Sequence, residues 1–322
     1  MRILFLGSGE FAIPTLQSIL KDGHEIAAVV TQPDKVRGRG RQTSPTPIKE
    51  EAQKAGLHVL SPANINAPDM IKQIKSLNAD LAYVAAFGQK IGPILLDAFP
   101  VGIVNLHGSL LPALRGAGPI QWSIINGDSE AGVTVFRLVE RMDAGPILVQ
   151  RRTAIGLDET ADELHDRLAR IGCDATRATI EALEADPAMP GTPQDDAKAT
   201  RAPKLKKEDG RIAFDEPVDK LARRICGLWS WPGAKCRFRS ADGSRDEMIT
   251  LARAVPYEGI AVPAASTEDL GRVTEMMAIQ GADRELTVLE IKPANGKLMA
   301  WRDFVNGRHV RPGDRFLPIE TV

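Results

Sequence analysis

Short apolar runs alternate with segments of helical periodicity along the first third of the chain. Residues 2–6 and 25–30 are apolar runs typical of buried parallel strands, and the apolar side chains of residues 10–21 recur close to one helical face. The alternation continues with helices predicted at 48–55 and 67–77 and strands at 58–60, 81–85 and 102–106. Strands that alternate with helices predict right-handed βαβ units, and hence an α/β fold with a doubly wound sheet.

After residue 132 the hydrophobic pattern changes. The runs 133–139 and 147–152 are strand-like, and the turn-rich break between them predicts an antiparallel pair. Thr160 and Glu163 have the spacing of a capping box, which predicts a helix that runs to about residue 185. Residues 186–202 are rich in Pro, Asp and small side chains without a hydrophobic period, which is typical of a linker.

The C-terminal third contains short strand-like pieces punctuated by Gly and Pro, at 234–239, 248–252, 271–277 and 285–291. Such spacing predicts a small β-barrel or sandwich. We therefore predict a first domain over 1–185, a basic linker over 186–206 and a C-terminal domain over 207–322. A length of 322 residues agrees with two domains.

Composition narrows the class of protein. Hydrophobic residues make up 43% and charged residues 26%, as in ordinary globular proteins. Lys and Arg number 41 against 42 for Asp and Glu, so any binding of nucleic acid must come from local clusters of charge. Cys173, Cys226 and Cys236 form no C-x-x-C pair, and no apolar stretch approaches the roughly 18 residues that span a bilayer. We expect a cytoplasmic protein with reduced thiols, no metal site and no membrane partner.

One motif invites a different interpretation. The hexapeptide from Gly7 to Ala12 matches G-x-G-x-x-A between a strand and a helix, as in dinucleotide-binding proteins. Asp34, however, follows Gln32-Pro33 and so lies in a loop beyond the second strand, and that loop then supplies three arginines that NAD would not require. The alternative is a tight turn that needs small residues, and we favour it.

Candidate chemistry lies at the end of the strand predicted at 102–106, where Asn105 and His107 fall on the same face. An amide can donate a hydrogen bond to a carbonyl oxygen that becomes an oxyanion, and an imidazole can exchange protons with an amine. Asp143, in the turn of the predicted hairpin, could orient His107, keep it protonated or handle protons through water. Acyl transfer to an amine fits this set. The sequence contains no G-x-S-x-G motif, so a serine nucleophile is not indicated.

These residues also resemble a known family. The motif Asn105-x-His107-x-Ser109-Leu110-Leu111-Pro112, with Arg115-Gly116, Gly132-Val133-Thr134 and Asp143-x-Gly145, resembles enzymes that use 10-formyltetrahydrofolate. The motif is specific for formyl transfer and weak for the acceptor. Residues 31–49, 199–212, 231–232, 293–299 and 311–314 are similar to the methionyl-tRNA formyltransferases, so the resemblance spans nearly the whole chain.

The resemblance implies a Rossmann-like catalytic domain, a C-terminal OB-like barrel that binds tRNA, and transfer of formyl from 10-formyltetrahydrofolate to methionyl initiator tRNA. Asn105, His107 and Asp143 would be catalytic, and a monomer is the family expectation. Folate would be bound by six residues: Ser109, Leu110, Leu111, Pro112, Phe87 and Gly88. The chain departs from the family where Ala113-Leu114 replaces a common Arg-Trp pair, and where Phe87 replaces a Tyr.

Two basic clusters agree with a tRNA partner. Each contains five positive side chains and no acidic one, within residues 35–49 and 198–207. Phosphate contacts explain two such clusters in irregular segments, and we assign tRNA binding to Arg37, Arg39, Arg41, Lys204, Lys206 and Lys207. Trp229, Trp231 and Trp301 are candidates for base stacking, although core packing suits at least two of them. A formyltransferase that acts on a sugar nucleotide or another small amine, and a non-catalytic tRNA-binding protein, remain as alternatives.

Overall fold

The structure is a computed structural model that describes residues 1–37 and 42–319. The strands are β1 (Arg2–Gly7), β2 (Glu25–Val30), β3 (Lys35–Arg37), β4 (Gln42–Ser44), β5 (Val59–Leu60), β6 (Leu81–Ala85), β7 (Gly102–His107), β8 (Arg115–Gly116), β9 (Glu130–Arg137), β10 (Ile147–Ala154), β11 (Arg201–Ala202), β12 (Ala234–Arg239), β13 (Asp246–Pro256), β14 (Ile279–Gln280), β15 (Glu285–Pro293), β16 (Met299–Ala300) and β17 (Arg315–Leu317). The α-helices are α1 (Ile13–Lys21), α2 (Pro47–Lys54), α3 (Pro68–Ser76), α4 (Pro93–Leu96), α5 (Pro119–Asn126), α6 (Ala161–Ala185), α7 (Val218–Leu228) and α8 (Trp301–Arg308).

The chain divides into two compact units. The first comprises residues 1–117, 131–153 and 165–202, and the second comprises residues 118–130, 154–164 and 203–322. The domain boundaries predicted at 185 and 206 stay a prediction. None of the helices in the described part of the chain is both long and apolar enough to cross a membrane.

The first unit is built on a seven-stranded sheet in the order β10-β9-β7-β6-β1-β2-β5. Strands β5, β2, β1, β6 and β7 run parallel to their neighbours, and β9 pairs with β7 in the antiparallel direction. The predicted alternation of strand and helix is therefore confirmed. Much of the apolar surface of these strands is buried: Phe5, Val29 and Val104 are all completely buried, as is typical of parallel strands.

Local sequence explains where the helices begin. The Thr46 side chain accepts a hydrogen bond from the Lys49 amide at 3.2 Å, and Pro47 follows as the first residue of α2. The predicted capping box is present, because the Thr160 amide donates to Glu163 Oε2 at 2.9 Å and the Glu163 amide donates to Thr160 Oγ1 at 3.4 Å. Helix α6 runs from there to Ala185, as the sequence predicts.

The second unit contains an antiparallel, barrel-like sheet in the order β14-β15-β13-β12-β17, with β16 paired to β15. Helix α7 packs its apolar side, including Leu221 and Ile225, into the same core as Phe238 and Phe316. Trp301 also belongs to this core, where its ring packs against Phe316. The predicted barrel is confirmed, and Trp301 has the packing role.

The strand predicted at 271–277 is wrong. The segment makes only isolated bridges, from Arg272 and Val273. Gly271 and Met277 have φ angles of +77° and +58°, in the left-handed region, and such residues interrupt an extended backbone. Val273 is completely buried in the core, whereas Met276 is 61% exposed.

Candidate active site

Strand β7 ends in the two residues predicted to be catalytic. In the register with β9, Asn105 lies opposite Phe136 and His107 lies opposite Thr134. Both side chains therefore emerge from the same face at the carboxyl end of the strand, where open α/β sheets bind their ligands. The Asn105 side chain is half-buried and has no hydrogen-bond partner among the described residues, so its amide is available to a ligand.

His107 is 7% exposed and is anchored through one ring nitrogen. Its Nε2 lies 3.0 Å from the main-chain oxygen of Leu114. Because a carbonyl oxygen only accepts hydrogen bonds, Nε2 must carry the proton of this bond. The ring edge also contacts Phe136, with 6.5 Å between the ring centres. Nδ1 is thus the ring atom left to exchange a proton with a substrate.

Asp143 lies in the turn between β9 and β10 and is 9% exposed. Its φ angle is +50°, which is uncommon for a residue other than glycine. Oδ2 accepts a hydrogen bond from the Gly116 amide at 2.9 Å. His107 and Asp143 are therefore hydrogen-bonded to the same short loop, at main-chain atoms two residues apart, and the structure brings together these two predicted residues.

Thr134 organises the loop of the predicted folate-binding residues. Its hydroxyl donates to the Ser109 carbonyl at 2.6 Å and accepts from the Leu111 amide at 3.1 Å. Gln150 Nε2 donates both to this hydroxyl, at 3.0 Å, and to the Leu111 carbonyl, at 2.9 Å. The Ser109 hydroxyl donates to the Ala113 carbonyl at 2.7 Å. Residues 109–113 are thus held mainly through their main chain, and Leu110 and Pro112 are half-buried.

Phe87 and Gly88, the other two predicted folate residues, follow β6. The Phe87 side chain is 3% exposed and packs in the apolar core of the first unit. Its carbonyl oxygen accepts hydrogen bonds from Ser8 Oγ at 3.0 Å and from Gln32 Nε2 at 3.2 Å. Gly88 is exposed. Any folate contact in this segment would involve the main chain.

Residues 192–202, interpreted from sequence as part of a linker, reach the site. Strand β11 pairs with β8 in parallel, and Thr192 pairs with Ile147. Gln194 Nε2 donates to the carbonyl oxygens of Asp143 and Gly145, and Thr200 Oγ1 accepts from the Leu114 amide. Sequence reasoning missed these two side chains. The Gln-Asp-Asp stretch in a polar segment was the only available signal.

The acidic residue of the dinucleotide-like motif is already engaged. Both carboxylate oxygens of Asp34 lie 2.8 Å from Lys49 Nζ. In the first turn, a Cβ atom added to Gly7 would lie 2.9 Å from Ala12 Cβ, so this glycine allows close packing of strand and helix. Both observations favour the tight-turn interpretation over NAD binding.

The predicted tRNA-binding residues fall into two groups. Lys204, Lys206 and Lys207 are exposed, and none forms an ion pair with another described residue. Arg37 ends β3, in register with Gln42 on β4. Arg39 and Arg41 lie outside the described residues.

A surface cavity of about 460 Å³ opens in the second unit beside Trp231, whose exposed fraction is 56%. Trp229, Met248, Lys235 and Lys292 also line it, and none of its described lining residues is acidic. An exposed indole and two lysines that line one cavity combine a stacking surface with positive charge. Elsewhere, within residues 1–37 and 42–319, no group of three His, Cys, Asp or Glu side chains is placed to hold a metal ion.

Comparison with known proteins bears on both units. Residues 1–180 match the family described as formyl transferase, and residues 204–309 match the family described as formyl transferase, C-terminal domain. A methionyl-tRNA formyltransferase from Solibacter usitatus (strain Ellin6076) is 39% identical over 98% of this chain and 98% of its own length. One from Geotalea uraniireducens (strain Rf4) is 39% identical over 97% of each chain.

Solved structures share the fold at lower identity. WlaRD, a sugar 3N-formyl transferase crystallised in the presence of dTDP and 5-N-formyl-THF, has a TM-score of 0.64 at 16% identity and covers 89% of this chain and 97% of its own. HypX from Aquifex aeolicus, in complex with tetrahydrofolic acid, has a TM-score of 0.62 at 16% identity and covers 95% of this chain and 47% of its own. At such identity the likeness concerns the fold alone.

Proposed function

The chain belongs to the methionyl-tRNA formyltransferases, and we propose that Asn105, His107 and Asp143 carry out its reaction. It transfers a formyl group to the amine of methionyl initiator tRNA. One observation carries the assignment of residues: His107 and Asp143 bind main-chain atoms of one loop beside the strand end that presents Asn105.

The family uses folate, and the proposed formyl donor is 10-formyltetrahydrofolate. An unpartnered Asn105 amide fits a donor that presents a carbonyl oxygen, and Asp143 Oδ1, which has no partner among the described residues, fits a nitrogen that changes its protonation state. Ser109 to Pro112 would contact the folate donor through their main chain. No metal takes part in this proposal.

In the proposed mechanism the methionyl α-amine attacks the formyl carbon and a C–N bond forms. Asn105 donates a hydrogen bond to the carbonyl oxygen as it becomes an oxyanion. The amine loses a proton, the bond from the formyl carbon to the folate nitrogen breaks, and that nitrogen gains a proton. His107 Nδ1 and Asp143 Oδ1 handle these protons, because Nε2 and Oδ2 are engaged with Leu114 and Gly116.

One assay tests the function. The purified protein is supplied with 10-formyltetrahydrofolate and with charged initiator tRNA, uncharged initiator tRNA or a dTDP-amino sugar. We expect formyl transfer only to the charged tRNA. A comparable kcat/KM with the amino sugar would overturn the proposal, and so would tRNA binding without formylation.

The catalytic residues are tested by substitution. Asn105→Ala and His107→Ala should each lower kcat by about 100-fold or more, the usual loss on removing an oxyanion donor or a general acid and base. Asn306→Ala, at an exposed asparagine on α8, serves as the matched control and should keep wild-type activity. Near-normal rates of the folded Asn105 variant would contradict the role assigned to that side chain.

We propose that Lys204, Lys206 and Lys207 contact tRNA phosphates, with Arg37, Arg39 and Arg41 as further contacts from the N-terminal basic cluster. Their exposure and the lack of ion pairs of the lysines with other described residues support this. The cavity beside Trp231 adds a stacking surface in the second unit. Binding as a monomer also stays a prediction.

The contributions of the three lysines and of Trp231 to tRNA binding should differ in their dependence on salt concentration. Replacing all three lysines by Ala should raise KM for tRNA and reduce the slope of log affinity against log salt by up to about 2, because fewer counterions are released. Trp231→Ala should raise KM by about fivefold or more and leave the slope unchanged, since stacking releases no counterions. Lys72→Ala with Lys75→Ala, exposed on α3, is the control. An unchanged slope in the triple variant would contradict the phosphate contacts.

A further inference from the structure

We infer that Gln194 is a positioning residue for formyl transfer, which holds the turn that carries Asp143; the inference rests on the function proposed above. Gln194 does not touch the reacting atoms. It acts through the main chain of the 143–145 turn, and residues 194–200 as a whole hold the loop that both His107 and Asp143 contact.

Both the nitrogen and the oxygen of the Gln194 side-chain amide form hydrogen bonds. Nε2 donates to the carbonyl oxygen of Asp143 at 2.9 Å and to that of Gly145 at 2.7 Å. Oε1 accepts from Arg115 Nε at 3.1 Å and from Arg115 Nη2 at 2.8 Å. A single neutral side chain therefore connects the catalytic turn to the loop opposite it.

The turn needs such support because its backbone is unfavourable without it. Asp143 has a φ of +50°, and a non-glycine residue in this region costs about 1 kcal/mol or more. The two carbonyl groups that Gln194 binds lie on either side of Ala144. Without these bonds Asp143 could relax to a negative φ, and this change would move its carboxylate away from the Gly116 amide.

The opposite loop is fixed by the same segment. Arg115 is held further by Asp196, which lies 2.9 Å from its Nη1. Thr200 Oγ1 accepts from the Leu114 amide at 2.8 Å, and the Thr200 carbonyl accepts from the Arg115 amide at 2.9 Å. Leu114 is the residue whose carbonyl binds His107. Residues 194–200 thus hold the loop that carries the partners of both catalytic side chains.

A purely stabilising role for Gln194 makes a different prediction from a positioning role. A residue that only stabilises the fold lowers the melting temperature, and its removal changes kcat by the same factor whether or not Asp143 keeps its carboxylate. A positioning residue matters to kcat only while there is a carboxylate to position. A double-mutant cycle between Gln194 and Asp143 distinguishes the two.

The cycle compares kcat, from steady-state formylation at saturating methionyl-tRNA and 10-formyltetrahydrofolate, for wild type, Gln194→Ala, Asp143→Ala and the double variant. We expect Gln194→Ala to lower kcat by about tenfold to 100-fold in the wild-type background, as misplacement of a reacting group by about 1 Å does. In the Asp143→Ala background the loss should be below about threefold. KM for folate and for tRNA should stay within about threefold throughout. Gln17→Ala, at an exposed glutamine of the same unit, is the matched control.

Gln194→Glu provides a second variant in case the alanine variant does not fold. The glutamate keeps an acceptor for Arg115 but loses the donors to Asp143 and Gly145, so the same cycle applies to it. An equal loss of kcat in both Asp143 backgrounds, or an effect confined to KM, would overturn the inference. A wild-type protein that formylates no tRNA would instead refute the proposed function, so the two failures are distinguishable.

Discussion

Replacing Thr134 by Val should disorder the loop of residues 109–113 while leaving the core shape almost unchanged. Thr134 is fully buried on β9, and its hydroxyl makes three hydrogen bonds, to the Ser109 carbonyl, the Leu111 amide and the Gln150 side chain. Valine fills nearly the same volume and makes none of them. The substitution therefore isolates the hydrogen bonds from the packing.

The magnitude follows from which groups lose their partners. Ser109 O and Leu111 N are buried, and each buried group left unsatisfied costs about 1–3 kcal/mol. Gln150 keeps its bond to the Leu111 carbonyl and contributes little to the loss. The added methyl group returns about 1 kcal/mol of apolar burial. The net destabilisation should be about 2 kcal/mol, or roughly 4–8 °C in melting temperature for a unit of this size.

Calorimetry and steady-state kinetics measure the two consequences. We expect a lower melting temperature together with a KM for 10-formyltetrahydrofolate raised about tenfold, which corresponds to about 1.4 kcal/mol of binding free energy. KM for tRNA should change little. Thr134→Ser is the matched control: it keeps the hydroxyl and loses one methyl group, so it should be destabilised by about 1 kcal/mol with an unchanged KM for folate.

The reasoning fails if Thr134→Val melts at the wild-type temperature with an unchanged KM for folate. It also fails if Thr134→Ser raises that KM as much as Thr134→Val does, because the methyl group and not the hydroxyl would then position the loop.

Two further variants test the local structure. The pKa of Glu163 is lowered from its ordinary value of 4.5, chiefly by the hydrogen bond from Arg253. This carboxylate therefore stabilises the fold above its unfolded-state pKa. The stabilisation is lost as the pH falls through the lower folded-state pKa. Urea unfolding should show Glu163→Gln to be less stable than wild type by about 0.5 kcal/mol at pH 7, a small value because the pair is partly exposed. The difference should shrink as the pH falls, and a difference that grows in acid would contradict this sign. In Gly145→Ala the new Cβ would lie 1.8 Å from the carbonyl oxygen of Arg137, so the hairpin must shift. We expect a loss of about 2 kcal/mol or more in thermal unfolding and of at least about tenfold in kcat, and wild-type behaviour would show that the turn is not constrained there.

Much of the fold could be predicted because burial imposes a periodic pattern of apolar residues on the sequence. The parallel strands are largely apolar, and β12 has the bounds that the pattern predicts, Ala234–Arg239. The wrong strand at 271–277 has the opposite cause. Val273 is completely buried, but Met276 is 61% exposed, and the left-handed residues Gly271 and Met277 interrupt the extended backbone. The segment therefore has the apolar composition of a strand without its alternation of buried and exposed residues.

The candidate site was predictable where its chemistry lies in side chains and not where it lies in the main chain. Asn105 and His107 are two residues apart on one strand, so their common face could be inferred. Gln194 and Thr200 act on carbonyl and amide groups that every residue has, and such contacts require no particular partner in the sequence. A polar segment without hydrophobic period therefore looked like a linker.

The same distinction bears on the departure from the family at Ala113-Leu114, where an Arg-Trp pair is common. The loop serves the site through main-chain atoms: the Ala113 carbonyl accepts from Ser109, the Leu114 carbonyl accepts from His107, and the Leu114 amide donates to Thr200. None of these bonds depends on the side chain at either position. What the loop needs at Leu114 is its φ of +60°, which Thr200 supports by accepting from the amide of that residue. The contacts around His107 are therefore compatible with Ala113 and Leu114.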